Sequence, residues 1–159
     1  MAILYRFVDS PVGGLKLTAS EKGLTAISWH DAPANGGDRS PTCETLQQAE
    51  RELREYFAGQ RRVFSIPLDM QGTEFQLAVW RALLDIPFGT TSSDGQLASR
   101  LGNPQTSRAV GAANGRNPIP IVVPCHRVIG STGKLTGFGG GLPMKEFLLR
   151  LEASQRMLL

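Results

Sequence analysis

Cysteine and histidine are both scarce, at two of each in 159 residues: Cys43 and Cys125, His30 and His126. So few ligands, without paired spacing, hold no structural zinc, and no metal site is expected. Two cysteines make no disulfide framework, and both are read as free thiols. Long apolar runs are missing as well. No window approaches a membrane-spanning helix, and the opening "MAILYRFVDS" carries no basic leader ahead of an apolar stretch. A cytoplasmic protein without a membrane partner is the expectation. With 41% hydrophobic and 19% charged residues, disordered and fibrous classes drop out. The length suits one ordinary domain or two small ones, each with a real core.

Acids are the third scarcity, and it is local. Residues 1–70 hold eight basic and nine acidic side chains, whereas the remainder holds nine and five. Between Ile86 and Lys145 the basic residues are Arg100, Arg108, Arg116, Arg127, Lys134 and Lys145, and Asp94 is the lone acid. Such a stretch suits a phosphate backbone or another anionic partner. A solvated basic face is the competing account.

The pattern predicts an α+β protein. A small N-terminal domain of sheet plus helix spans residues 1–70. A mostly helical C-terminal domain with a helix-turn-helix spans 71–159. "ILYRFVDSPVGGLKLTAS" reads as two strands around a hairpin turn, and "GLTAISWH" as a third. Leu46, Ala49, Leu53, Tyr56 and Phe57 fall at helical spacing, with Thr42 or Thr45 as cap and Gly59 as stop. "RRVFSIPLDM" reads as a further short strand. Thr73 caps a helix carrying Phe75, Val79, Trp80, Leu83 and Leu84 and stopping at Pro87. A short helix from Gln96 to Leu101, a Gly102-Asn103-Pro104 turn and a helix from Pro104 to Ala113 complete a helix-turn-helix shape. "IPIVVPCHRVI" reads as an extended buried segment, and "LPMKEFLLRLEAS" as a closing helix with Pro143 in its first turn.

Three features bear chemistry. The second helix of the helix-turn-helix presents Ala109, Gly111, Ala112 and Ala113 with Arg108 and Arg116 beside them. Small side chains permit close approach to a groove, and Arg108 is placed to insert or to meet phosphate. A plain packing helix would want larger apolar residues, so nucleic acid is favoured. Cys125 is a weak nucleophile unless a base or a positive charge assists it. His126 is adjacent, but neighbours on a strand point to opposite faces. Either the backbone turns after Pro124 or a water relays the proton. Glu152, at the edge of the Met144, Phe147, Leu148 and Leu151 stripe, is a candidate to orient the imidazole, although spacing alone favours a surface pair with Arg156. The loop "GKLTGFGGG" has neither a P-loop ending nor a dinucleotide fingerprint. Its glycines suit a pocket lined by backbone amides, with Phe138 as a stacking wall.

Taken together, "AVGAANGRNPIPIVVPCHRV" and "GKLTGFGGGLPMKEFLLRLE" resemble the O6-alkylguanine-DNA alkyltransferases, or methylated-DNA-protein-cysteine methyltransferases. The likeness runs in unbroken order from Thr73 to Glu152, and "DSPVGGLKL" and "LREYFAG" resemble that family's N-terminal domain. The resemblance implies single-turnover, irreversible repair. Double-stranded DNA is bound through the minor groove, the alkylated guanine (or O4-alkylthymine) is flipped out, and its alkyl group passes to Cys125. His126 is implied as the water-relayed base, Glu152 as its orienter and Asn117 as the brace of the turn. Arg127 is implied to support the cysteine loop. Arg108 fills the space left by the flipped nucleotide. Ser92, Ser93, Asp94, Ala109, Gly111 and Ala112 lie along the DNA-binding surface. Phe138, Gly139, Gly140 and Val128 line the base pocket. No cofactor is consumed, free O6-benzylguanine-type analogues are further ligands, and the protein is a monomer.

Two departures stand out. Where members of the family commonly read "RSYGELA", this chain reads "SSDGQLA". Ser92 replaces the arginine, and Asp94 replaces a tyrosine that helps to rotate the nucleotide. A carboxylate facing phosphates would repel them, so duplex affinity is expected to fall while thiol chemistry on a free alkylguanine survives. Two other classes compete. One is an alkylated-base sensor that binds without repair, whose kind lacks the cysteine. The other is a Cys-His hydrolase, which would need an oxyanion site.

Overall fold

The computed structural model describes residues 4–29, 43–130 and 141–157. They fall into two units, Met1–Gln71 and Gly72–Leu159.

In the first unit, strands β1 (Leu4–Val8), β2 (Leu15–Ala19) and β3 (Leu24–Trp29) form an antiparallel sheet in sequence order. The β1–β2 turn is closed by Ser10, whose hydroxyl binds the Gly13 carbonyl at 2.6 Å. Gly13 sits at φ 104°, a conformation that favours glycine. Along β2, Leu15, Leu17 and Ala19 are buried, the alternation a one-sided sheet requires. Helix α1 (Glu44–Phe57) covers that face with Leu46, Ala49, Leu53 and Tyr56. Leu46 and Leu53 each contribute about 2 kcal/mol on burial. Its N-cap is Cys43, without a side-chain cap bond, rather than either expected threonine. Thr45 lies inside the helix, and Thr42 falls outside the described residues.

The stretch read as a strand after α1 is irregular. Among the described residues its backbone pairing with the sheet is one isolated parallel bridge, Leu24 to Leu68, and the Ser20 hydroxyl donates to Asp69 at 2.5 Å. The cause is local. Glu52, buried on α1, accepts the Ser65 amide at 2.7 Å and the Ser65 hydroxyl at 3.0 Å, so that amide is not available to a ladder. Pro67 supplies no donor at all.

In the second unit, helix α2 (Glu74–Leu84) begins in a reciprocal capping box between Thr73 and Gln76. Val79, Trp80 and Leu83 are buried, while Phe75 and Leu84 are exposed, so the apolar stripe is narrower than its sequence pattern. The strand β4 is only Ser92–Ser93. Helix α3 (Asp94–Arg100) starts two residues before the expected Gln96, because Ser93 and Gln96 form a second capping box. A 3-10 turn at Pro104–Thr106 then leads into helix α4 (Ser107–Gly115). Both α2 and α3 pack on α4, and the Trp80 indole donates to the Ala113 carbonyl at 2.9 Å.

The segment before Cys125 is not extended. Val123 N donates to Ile119 O at 2.9 Å, and Ile121 stands at φ 75°. Pro118, Pro120 and Pro124 remove ladder donors, and Asn117 pins the loop at both ends. Its amide donates to Val123 O at 2.7 Å, and its oxygen accepts Ile119 N at 2.9 Å. A 3-10 turn follows at Cys125–Arg127, then β5 (Val128–Ile129), which pairs in parallel with β4. Helix α5 (Leu142–Met157) closes the unit with Pro143 in its first turn.

Candidate active site

The turn at Cys125–Arg127 places three consecutive side chains in buried surroundings. On a strand, His126 and Cys125 would diverge; here the backbone turns immediately after Pro124, one of the two routes open on sequence grounds. His126 Nε2 lies 2.6 Å from Glu152 Oε2. Arg127 donates through Nε to Glu152 Oε1 at 2.8 Å and through Nη2 to Oε2 at 3.1 Å. The Gly89 amide adds a longer bond of 3.3 Å to Oε1. Arg127 Nη1 donates to the Ile86 carbonyl at 2.7 Å, and the guanidinium lies 5.6 Å from the centre of the Phe88 ring. Glu152 is therefore no surface residue, contrary to what its spacing alone favours. The Arg156 side chain lies outside the described residues.

Charge states follow from these contacts. Burial alone would raise the Glu152 carboxyl, but hydrogen bonds and charge from His126 and Arg127 outweigh it and hold the group down at about 2. Glu152 is thus an anion that only accepts, so Nε2 of His126 carries the proton and Nδ1 presents its lone pair. That Nδ1 is buried and has no hydrogen-bond partner among the described residues. Burial lowers the His126 pKa, opposed by Glu152, which keeps the ring neutral. Burial pushes the Cys125 thiol up to about 11, against a hydrogen bond from Asn117 and the charge of Lys145. The resting sulfur is a protonated thiol, so it needs a base.

The remaining candidates lie in differing surroundings. Arg108, Ala109 and Ala112 are exposed on α4, and Gly111 is half-buried. Ser92 and Ser93 are half-buried on β4, and Ser93 spends its hydroxyl on the α3 cap. Asp94 does not stand out in solvent. Its Oδ1 is fully enclosed, and a Cβ on Gly111 would lie 3.0 Å from its Oδ2. A side chain at position 111 would require that carboxylate to shift by a few tenths of an ångström. Val128 is buried. Phe138, Gly139 and Gly140 lie outside the described residues.

The basic stretch is also less of a face than its sequence implies. Arg127 and Lys145 are internal, and only Arg100, Arg108 and Arg116 of the described set are exposed. Lys145, counted above only as part of the basic stretch, is fully buried and donates to the Val128 carbonyl at 2.5 Å. A signal was there: Lys145 lies three residues before Leu148 and seven before Glu152, on one helical face. Among the described residues no group of three His, Cys, Asp or Glu side chains is placed to hold a metal ion.

Two family models match the chain. The DNA binding domain of 6-O-methylguanine DNA methyltransferase matches residues 74–154, and its ribonuclease-like domain matches residues 3–70. A methylated-DNA–protein-cysteine methyltransferase of Methanosarcina acetivorans is 46% identical over 156 residues, covering 94% of this chain and 98% of the relative. The crystal structure of the Mycobacterium tuberculosis O6-methylguanine methyltransferase superposes with a TM-score of 0.84 at 45% identity, covering 97% of this chain and 94% of that one. The Mycobacterium tuberculosis OGT in complex with DNA superposes equally well, at 0.84 and 46% identity over 95% of this chain and 93% of that one.

Proposed function

This chain belongs to the 6-O-methylguanine DNA methyltransferase family, and from that premise we propose that Cys125 is its alkyl acceptor, His126 the base and Glu152 the group that orients the base. The activity is that of a methylated-DNA–protein-cysteine methyltransferase acting on O6-alkylguanine, and the protein binds DNA.

In the reaction the alkyl carbon moves from guanine O6 to Sγ of Cys125. The S–C bond forms as the O–C bond breaks, the electron pair of that bond stays on the base, and the thiol proton ends on N1 of the released guanine. His126 Nδ1 takes the thiol proton through a water and returns it towards the base. Asn117 holds the thiol and the turn together. A thioether does not hydrolyse, so each molecule reacts once and no cofactor is used.

DNA is approached as a duplex through its minor groove. The exposed Ala109 and Ala112 leave α4 thin enough to enter, and Arg108 takes the place of the flipped nucleotide. The base then rests against Val128 and the segment holding Phe138, Gly139 and Gly140. Free O6-benzylguanine-type analogues fit the same pocket, and the protein acts as a monomer in the cytoplasm. No helix among the described residues is long and apolar enough to cross a membrane.

One observation carries this reading: the buried Cys125 shares a single turn with a histidine whose outer nitrogen is held by Glu152. The test is intact mass after incubation with methylated duplex. One methyl on Cys125, saturating at one equivalent, is expected. No adduct with retained DNA binding would support the sensor instead, and repeated ester or peptide turnover the hydrolase.

A further inference from the structure

Trp80 does more in the second unit than fill its core. The side chain is buried, and an enclosed indole N–H needs an acceptor. It finds one in the Ala113 carbonyl at 2.9 Å, in the last turn of α4. In a continuing α-helix that carbonyl would be taken by the amide four residues on, which belongs to Asn117. The Asn117 amide bonds the Asn114 carbonyl at 3.3 Å instead, and the Arg116 amide bonds that of Ala113 at 3.1 Å. The turn is tightened to three-residue spacing, and α4 ends. Asn117 follows directly after the C-cap Arg116, and its side chain ties Ile119 and Val123. The Val123 carbonyl, held by Asn117 at 2.7 Å, also accepts the Cys125 amide at 2.8 Å. A line of contacts thus runs from the indole to the backbone of the thiol residue. The far edge of the same ring is seated by Gly72. A Cβ there would lie 2.6 and 2.7 Å from Trp80 Cη2 and Cζ3, and 2.8 Å from Gln76 Oε1.

From these contacts we infer that Trp80 is a positioning residue for alkyl transfer: its indole N–H stops α4 at Ala113 and so sets Asn117, which holds the cysteine turn. Without that donor the Ala113 carbonyl is open to the Asn117 amide. The helix then runs on by a residue and draws Asn117 off the loop it pins. Sulfur and alkyl carbon must meet in line, so a small displacement of the turn slows transfer although the fold survives. Gly72 belongs to the same device. A ring enclosed in the core cannot swing aside, so a methyl at position 72 would press the indole along the line that ends at the thiol.

The inference rests on Cys125 being the acceptor, and the test keeps the two apart. Labelling by free O6-benzylguanine without DNA gives an amplitude, which counts folded molecules, and a rate constant, which reports how well the turn is set. Labelling that survives Cys125→Ala would sink the acceptor assignment and the inference with it; the comparisons that follow bear on the inference alone. Trp80→Phe keeps an aromatic ring and removes the donor. Its rate constant at saturating reagent is expected to fall about fivefold, the worth of one hydrogen bond, at full amplitude and unchanged half-saturation. A lowered amplitude with the parent's rate constant means that the indole serves folding alone, and overturns the inference. In an Asn117→Ala background the same substitution is expected to change the rate by less than about twofold, because the link is already cut. An undiminished effect there also overturns it. Should Trp80→Phe fail to fold, Gly72→Ala displaces the ring and keeps the donor, and is expected to slow labelling. Gln76→Ala, which breaks the α2 capping box and leaves the ring its seat, is expected to label at the parent rate. Parent-like labelling by Gly72→Ala refutes the inference, and so does a Gln76→Ala rate as low as that of Gly72→Ala.

Discussion

Arg127 and Glu152 meet side-on, with two guanidinium nitrogens on the two carboxylate oxygens at 2.8 and 3.1 Å, inside the protein. The same carboxylate holds His126, so one anion fixes the imidazole and balances the arginine. Removing it leaves a buried cation alone. Glu152→Gln is therefore expected to lose roughly 3–5 kcal/mol of stability. Urea unfolding checks that loss, and single-turnover methyl transfer checks the accompanying fall in rate.

Acid should unfold the second unit by a route that begins in this site. His126 is buried with its pKa lowered, so the unfolded chain binds more protons below about 6.5 and stability falls as pH falls through that range. Glu152, held at about 2, adds stability that is full above its unfolded value near 4.5 and drains away towards 2. Both contributions have the same sign. Thermal unfolding between pH 8 and pH 3 should show a steady decline, with a shallower acid limb in Glu152→Gln.

Asn117 ties the Val123 carbonyl and the Ile119 amide and also meets the thiol. Asn117→Ala should cost about 1–3 kcal/mol for the groups left unsatisfied. It should also slow labelling by free O6-benzylguanine, because the cysteine turn loses its anchor. Unchanged labelling would show that the asparagine serves folding alone.

Arg108 is exposed on α4, away from the buried charge network. Arg108→Ala should weaken duplex binding, reduce the salt slope of log affinity by about one and leave free-base labelling intact. Fluorescence anisotropy over a salt series, paired with the labelling assay, separates these effects.

Much of the fold was legible wherever a local rule had no competitor. Leu15, Leu17 and Ala19 alternate as a one-sided strand must, and Thr73 with Gln76 spells a helix start. The stretch around Ile121 misleads because an apolar, β-branched run has the composition of a buried strand. Its conformation is decided by three prolines and by Asn117, whose bonds join positions two and six residues away. Glu152 and Lys145 were hard to place for a related reason. A charged residue on an amphipathic helix reads as solvent-facing, and only its partners in space, His126 and Arg127 for one and the Val128 carbonyl for the other, make burial tolerable. The Cys125–His126 pair was ambiguous because adjacency in sequence fixes no angle between side chains until the backbone turn is known.

The indole of Trp80 is buried and hydrogen-bonded to the end of α4, whereas Trp29, the other tryptophan, belongs to β3 of the first unit. Each unit therefore carries its own fluorophore. With Trp29→Phe, emission reports on the α2–α4 contact of the second unit; with Trp80→Phe, it reports on the sheet. The two halves of the chain can thus be watched melting one at a time, without any added dye.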